Sequence, residues 1–197
     1  KEVIEDWADK EKADLYRRYK IAMVVVDTGE ETQTGGRLIR LAENGWLNDT
    51  FMMTYGDGMA DVNLNALLDF HTKKARQDFR VTLSAVNPPS RFGTMELENG
   101  VVRSFGEKPQ LSGGWINGGF YVIEPEALNL VNGDLCMWEY DVLPVLAKQG
   151  ELAAYQHPGY FQMCDTWRDL QKLEEQAYIG IPPWLRFEKA SGHDQNA

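Results

Sequence analysis

The sequence predicts a three-layer α/β domain around a mixed sheet, and three observations carry that prediction. Short β-branched or apolar runs alternate along the chain with stretches of helical periodicity. Two alternating segments flank an Asn-Gly turn at residues 99–100, the pattern of an internal antiparallel hairpin. The 197 residues, 43% of them hydrophobic, suffice for one sizeable core. Residues 1–188 therefore read as a single domain and residues 189–197 as a polar tail.

The elements follow in order. Val3, Ile4, Trp7, Ala8, Leu15, Tyr16 and Tyr19 recur at helical spacing, which predicts an amphipathic helix over residues 1–19 with a weak point at residues 9–14. Residues 21–26 are β-branched and apolar and read as a strand bounded by Asp27-Thr28-Gly29. A polar loop over residues 30–36 is expected next, with residues 38–41 as a short strand or one helical turn. Residues 51–55 form an apolar strand that breaks into Gly56-Asp57-Gly58, and Asp61 or Asn63 can cap a helix over Leu64, Leu67, Leu68, Phe70 and His71. Residues 79–86 read as a strand stopped by Pro88-Pro89. The hairpin joins residues 94–97 to residues 101–105 and ends at Glu107-Lys108-Pro109. Residues 115–123 form a strand interrupted by Gly118 and Gly119, and Pro125 opens a helix over Leu128 and Val131. Pro144 either kinks a helix over residues 137–148 or marks its start, with Gly150 as the stop. Residues 152–155 and 160–163 are short strands, and Asp165-Thr166 caps a helix containing Trp167, Leu170, Leu173 and Ala177.

Charge and composition exclude several classes. A net charge of −10 repels phosphate backbones and anionic lipid, so neither nucleic acid nor a membrane is expected as a partner. No apolar run reaches membrane-spanning length, and two distant cysteines suit a reducing, cytoplasmic setting. The three histidines lack partners at zinc-ligand spacing. No nucleophile elbow, P-loop or dinucleotide glycine fingerprint occurs.

What remains is a set of polar residues at strand ends or in loops: Arg37, Asp57, Glu107, Lys108, Asn117 and Asp165. Two isolated aspartates suit Mg2+, which takes one or two carboxylates and fills its other positions with phosphate and water. Lys and Arg nearby would complete a phosphate site, and Asn117 beside two glycines has room for a sugar ring. Structural readings stand beside these: Asp165 as a helix cap, Arg37 as a solvated loop residue, Glu107-Lys108 as an exposed ion pair, and Asn117-Gly118-Gly119 as a bulge or tight turn.

Taken in order, the motifs resemble one family. Asp27-Thr28-Gly29, Thr34-Gly35-Gly36-Arg37, Thr54-Tyr55-Gly56-Asp57-Gly58, Pro89-Ser90-Arg91-Phe92-Gly93, Glu107-Lys108-Pro109, Ile116-Asn117-Gly118-Gly119-Phe120, Trp138-Glu139, His157-Pro158-Gly159 and Asp165-Thr166 resemble the glucose-1-phosphate cytidylyltransferases of the sugar nucleotidyltransferase superfamily. The resemblance spans residues 21–184. It implies a Rossmann-like nucleotidyltransferase fold and the reaction of CTP with glucose 1-phosphate to CDP-glucose and pyrophosphate. By the same resemblance Asp57 and Asp165 hold Mg2+, and Lys108 binds the sugar phosphate. Glu107 and Asn117 hold sugar or ribose hydroxyls, and Arg37 lies near the nucleotide phosphates or a neighbouring subunit's site. Gly56 and Gly118 would let the ligand approach closely.

One departure is large. The family's Gly-Gly-x-Gly-Thr-Arg loop and the Lys-Pro element after it do not occur in this sequence. The resemblance therefore carries the expectation of an N-terminally truncated fold whose first strands precede Lys1, and of an exposed sheet edge covered in a homo-oligomer. The small-molecule partners are a sugar 1-phosphate and a nucleotide. The alternative is a non-catalytic remnant acting as a sugar-phosphate-binding or oligomerising domain. A metal-dependent glycosyltransferase using Asp57 and Asp61 ranks last, because their spacing fits a short acidic motif poorly.

Overall fold

The computed structural model describes residues 2–75, 78–87, 94–98, 101–106 and 114–185. In chain order the elements are α1 (Glu2–Tyr19), α2 (Thr34–Glu43), β1 (Phe51–Thr54), β2 (Gly58–Ala60), α3 (Leu64–Ala75), β3 (Val81–Val86), β4 (Thr94–Glu98), β5 (Val101–Gly106), β6 (Ile116–Ile123), α4 (Leu143–Gln149), β7 (Leu152–His157), β8 (Phe161–Met163) and α5 (Trp167–Tyr178). The central sheet has the order β1-β6-β3-β7. β6 runs antiparallel to β1 and β3, while β3 and β7 are parallel, so the sheet is mixed. The C-terminal ends of β1, β3 and β7 therefore share one rim with the start of β6.

Alternation along β6 accounts for the layers. Tyr121 and Ile123 join a core with Val81, Leu38 of α2, and Leu143 and Leu146 of α4. Val122, between them, packs with Leu67 of α3 and with Val62 just before that helix on the other face. Helices thus cover both faces of one sheet, as a three-layer arrangement requires. His71 of α3 is buried and lies 2.8 Å from Thr82 Oγ1 and 3.0 Å from Glu124 Oε1, a core histidine with both ring nitrogens partnered.

Several local expectations need correcting. Residues 21–26 form no strand, and Ile21, Val24 and Val25 are exposed. β-branched composition specifies a strand only where a neighbour supplies the ladder. The loop expected over residues 30–36 is present over residues 30–33 and stops there, because α2 starts at Thr34 and absorbs both Gly35 and Gly36. α1 is continuous from Glu2 to Tyr19, with Asp9 paired to Lys12 and Asp14 to Arg18 across the expected weak point. The helix expected after Pro125 is a 3-10 segment, Pro125–Leu130. Pro144 marks the start of α4, and a π-helical turn, Trp138–Val142, precedes it. Of the two caps considered for α3, Asn63 takes the role, its Oδ1 accepting from Ala66 N–H at 3.0 Å. The expected hairpin is present as β4 and β5, paired antiparallel in a separate two-stranded sheet.

Candidate active site

At the end of β1 the chain turns through Tyr55-Gly56-Asp57 into β2, which pairs antiparallel with β8 so that Gly58 faces Met163. One position beyond that ladder, Cys164 N–H donates to the Asp57 carbonyl at 2.8 Å. Backbone pairing therefore brings Asp57 beside Cys164, with Asp165 next along the chain. Both aspartates are exposed. A Cβ built on Gly56 meets nothing within 4 Å, so the turn is open on that side. The capping explanation for Asp165 does not hold in its original form. Thr166 is the N-cap of α5, its Oγ1 accepting from Asp169 N–H at 3.2 Å while Asp169 returns Oδ2 to Thr166 N–H at 3.0 Å. Asp165 stands one residue outside this capping box.

Asn117 occupies the second position of β6, on the same rim, and is exposed. The pairing of β6 with β3 passes from Tyr121 opposite Leu83 to Asn117 opposite Ala85, so β6 carries two extra residues there. This is a bulge, the structural alternative considered for Asn117-Gly118-Gly119. Gly119, at φ +75°, coils the strand, and its N–H donates to Asn117 Oδ1 at 3.0 Å. Asn117 Nδ2 donates to the hydroxyl of Tyr121, which lies 3.1 Å from the hydroxyl of Tyr55. The Tyr121 ring meets Tyr55 and Trp138 edge-on, at centroid distances of 5.8 and 6.4 Å. Burial pushes the Tyr121 phenol up to about 12, opposed by the hydrogen bond from Asn117.

Gly118 does something different from the role expected of it. It is buried, and a Cβ there would stand 2.6 Å from both Ser84 Oγ and Val86 Cγ1. The room left by its missing side chain is filled by β3 of the chain itself.

Arg37 belongs to another cluster. Its guanidinium donates to Thr28 Oγ1 at 2.8 Å and to the Glu30 carbonyl at 3.3 Å. Arg40, one turn on, grips Asp134 through Nε at 2.8 Å and Nη2 at 2.5 Å, and reaches the Thr28 carbonyl at 2.7 Å. The N–H groups of Gln33, Gly35 and Gly36 donate to the carbonyls of Asp134 and Cys136. The amide groups at the start of α2, a ready anion site when free, are thus spent on the chain's own backbone. Among the described residues, no hydrogen bond ties Arg37 to Asp57, Asn117 or Asp165. Glu107 and Lys108 lie outside the described residues.

Asp61, the partner of Asp57 in the lowest-ranked reading, is committed to scaffolding. Its Oδ1 accepts from Tyr160 N–H at 2.6 Å and lies 2.9 Å from His157 Nε2. His157 is the last residue of β7. Among the described residues no group of three or more His, Cys, Asp or Glu side chains could hold a metal ion. A pair of exposed carboxylates fits Mg2+, whose remaining ligands come from phosphate and water, and does not fit the closed shells of zinc or calcium. Tyr55 and Tyr121 carry no such signal in the sequence. The one available clue was the Gly-Gly pair inside a strand, since it marks a bulge that can bring residues four apart into contact.

A family model described as nucleotidyl transferase matches residues 5–176. The chain is similar to the glucose-1-phosphate cytidylyltransferase of Salmonella typhi, 45% identical over 166 residues, covering 84% of this chain and 63% of that protein. It is also similar to a probable glucose-1-phosphate cytidylyltransferase of Bacillus subtilis (strain 168), 36% identical over 160 residues, covering 81% of this chain and 61% of that one. The chain thus spans less than two thirds of the length of these curated relatives. Among solved structures, a putative glucose-1-phosphate thymidylyltransferase from Bacillus anthracis superposes with a TM-score of 0.61 at 16% identity, covering 92% of this chain and 75% of that one. At that identity the likeness concerns the fold alone. Among the described residues no helix is long and apolar enough to cross a membrane.

Proposed function

This chain belongs to the nucleotidyl transferase family, and we propose that its site serves cytidylyl transfer to a sugar 1-phosphate, giving CDP-glucose and pyrophosphate from CTP and glucose 1-phosphate. Identity to the curated cytidylyltransferases supports this choice of nucleotide and sugar. The observation that carries the reading is the hydrogen bond between Cys164 N–H and the Asp57 carbonyl, which sets the two aspartates on one rim of the sheet.

In the proposed reaction a phosphate oxygen of the sugar ester attacks the α-phosphorus of CTP. A new P–O bond forms, the α–β bridge breaks, and the electron pair leaves with pyrophosphate. Such a reaction asks the protein chiefly for positioning and for neutralisation of charge. Asp57 and Asp165 would hold Mg2+, which when bound offsets the negative charge of the phosphates. Lys108 would neutralise the sugar phosphate, while Glu107 and Asn117 would take sugar or ribose hydroxyls. Gly56, open on its outer side, lets a ligand come against the backbone. Arg37, already engaged by Thr28 and Glu30, would order the loop before α2.

A second reading is binding without turnover. In its favour, the N–H groups of Gln33, Gly35 and Gly36 at the start of α2 are engaged by the carbonyls of Asp134 and Cys136 and are not free to cradle a triphosphate. Two measurements on the purified chain separate the readings. Calorimetry with glucose 1-phosphate, CDP-glucose and Mg2+ reports binding, and pyrophosphate release from CTP and glucose 1-phosphate reports turnover. Binding and release, both reduced at least tenfold in Asp57→Asn and Asp165→Asn, are the expected results. Binding with no release favours the second reading, and no binding at millimolar concentrations removes both.

A further inference from the structure

Residues four apart on a regular strand stand about 13 Å from each other, too far for side chains to share a hydrogen bond. Asn117 and Tyr121 do share one, because the bulge at Gly118-Gly119 folds two extra residues into β6 between them. The result joins two different environments. Asn117 is exposed on the rim, whereas Tyr121 is fully buried beneath it. Tyr121 also reaches Tyr55, the residue before Gly56-Asp57, through a hydroxyl–hydroxyl contact of 3.1 Å. The Tyr55 ring in turn covers Gly119, where a Cβ would stand 2.9 Å from it.

The hydrogen-bonding capacity of Asn117 is therefore divided. One amide N–H goes to Tyr121, and one lone pair of Oδ1 goes to Gly119 N–H. One N–H and one lone pair are left, on a carboxamide whose polarity is set by Gly119 N–H, a donor that only Oδ1 can accept, and whose amide end is anchored by the Tyr121 hydroxyl. We infer that Tyr121 is a positioning residue of this site: its buried hydroxyl anchors the Asn117 carboxamide, whose polarity Gly119 N–H sets, so that the remaining N–H and lone pair are held in place for a sugar. Through Tyr55 the same hydroxyl ties the Asn117 bulge to the turn that carries Asp57. The inference rests on the proposed function for its ligand, and on the geometry of β6 for its mechanism.

A double-mutant cycle tests it, with glucose 1-phosphate titrated by calorimetry into the unaltered chain, Tyr121→Phe, Asn117→Ala and the double variant. Phenylalanine keeps the ring contacts with Tyr55 and Trp138, so Tyr121→Phe is expected to stay folded by circular dichroism. Its dissociation constant should rise about tenfold, the loss equivalent to one well-placed hydrogen bond. If Tyr121 acts through Asn117, the double variant binds no more weakly than Asn117→Ala alone, a coupling that general loosening of the core would not produce. The Asn117 side-chain amide resonances should also lose their protection from exchange in Tyr121→Phe. Binding by Tyr121→Phe equal to that of the unaltered chain, or additive losses in the double variant, overturns the inference alone. Failure of the unaltered chain to bind overturns the functional reading, and the inference with it.

Discussion

Two glycine-bearing turns in this molecule look alike in sequence and are opposite in structure. In Thr34-Gly35-Gly36-Arg37 the missing side chains are replaced by the protein itself, since a Cβ on Gly36 would lie 2.3 Å from the Asp134 carbonyl oxygen and one on Gly35 2.8 Å from that of Cys136. In Gly56-Asp57-Gly58 a Cβ on Gly56 meets nothing within 4 Å, and one on Gly58 makes only ordinary contacts, 3.6 Å to Met163 Sδ and 3.9 Å to Phe161 Cε2. The first turn closes a helix start onto a neighbouring loop. The second stays open toward solvent, where a ligand could use the space. A glycine thus marks a close approach without saying what approaches, and only the surrounding fold distinguishes an internal contact from a binding surface.

The comparison breaks most easily at its closed end. Helix propensity alone would make Gly36→Ala stabilising by up to about 1 kcal/mol. The Asp134 backbone forbids this, because its carbonyl cannot yield without giving up the hydrogen bond it accepts from Gln33 N–H at 2.8 Å. Gly36→Ala should therefore lower stability by about 3 kcal/mol, a fall of roughly 6–12 °C in melting temperature for a chain of this size. Gly56→Ala should move it by less than about 0.5 kcal/mol. Equal losses in the two variants, read by thermal melts, would erase the distinction between closed and open turns.

A smaller effect probes the buried support under the open rim. Burial raises the Tyr121 phenol from 10.0 to about 12, so the folded chain keeps a proton that the unfolded chain gives up between those values. The unfolded state then binds fewer protons, and stability falls as pH rises through that window. This contribution is intact below pH 10 and amounts to a loss of about 2 kcal/mol by pH 12. Urea unfolding of the unaltered chain and of Tyr121→Phe at a series of pH values should show the extra slope only where the hydroxyl is present. Parallel curves would mean that Tyr121 is reached by solvent.

How far the sequence anticipated this arrangement depends on how local each signal was. The strands β1 and β3, the Asn-Gly hairpin and the role of Pro144 follow from residues within a few positions of one another, and the structure contains them. The start of α2 does not, because Gly35 and Gly36 read locally as breakers while their contacts lie at residues 134 and 136. Residues 21–26 fail for the reverse reason: their composition suits a strand, yet pairing is a property of neighbours. The candidate site divides in the same way. Asp57 and Asp165 could be proposed from their turns, and β2 pairing with β8 supplied the juxtaposition that no spacing rule contains. Asn117 was visible beside its glycines, but the hydroxyl that orders it sits in the core and reads there as one more apolar-face aromatic.

The finest comparison lies within two adjacent residues. Thr166 and Asp165 both sit at the start of α5, both are cap-forming types, and sequence alone assigns the cap to either. The structure gives it to Thr166, whose hydroxyl accepts from Asp169 N–H and donates to Asp169 Oδ2 at 2.7 Å. Thr166→Ala should then cost about 1 kcal/mol of stability, the usual value of an N-cap, with little effect on ligand affinity. Asp165→Asn should do the reverse, leaving the melting temperature within about 1 °C while weakening Mg2+-dependent binding of CDP-glucose. If Asp165→Asn instead lowers the melting temperature as much as Thr166→Ala does and binding survives, the carboxylate at residue 165 serves the helix, and Asp57 is left without its partner on the rim.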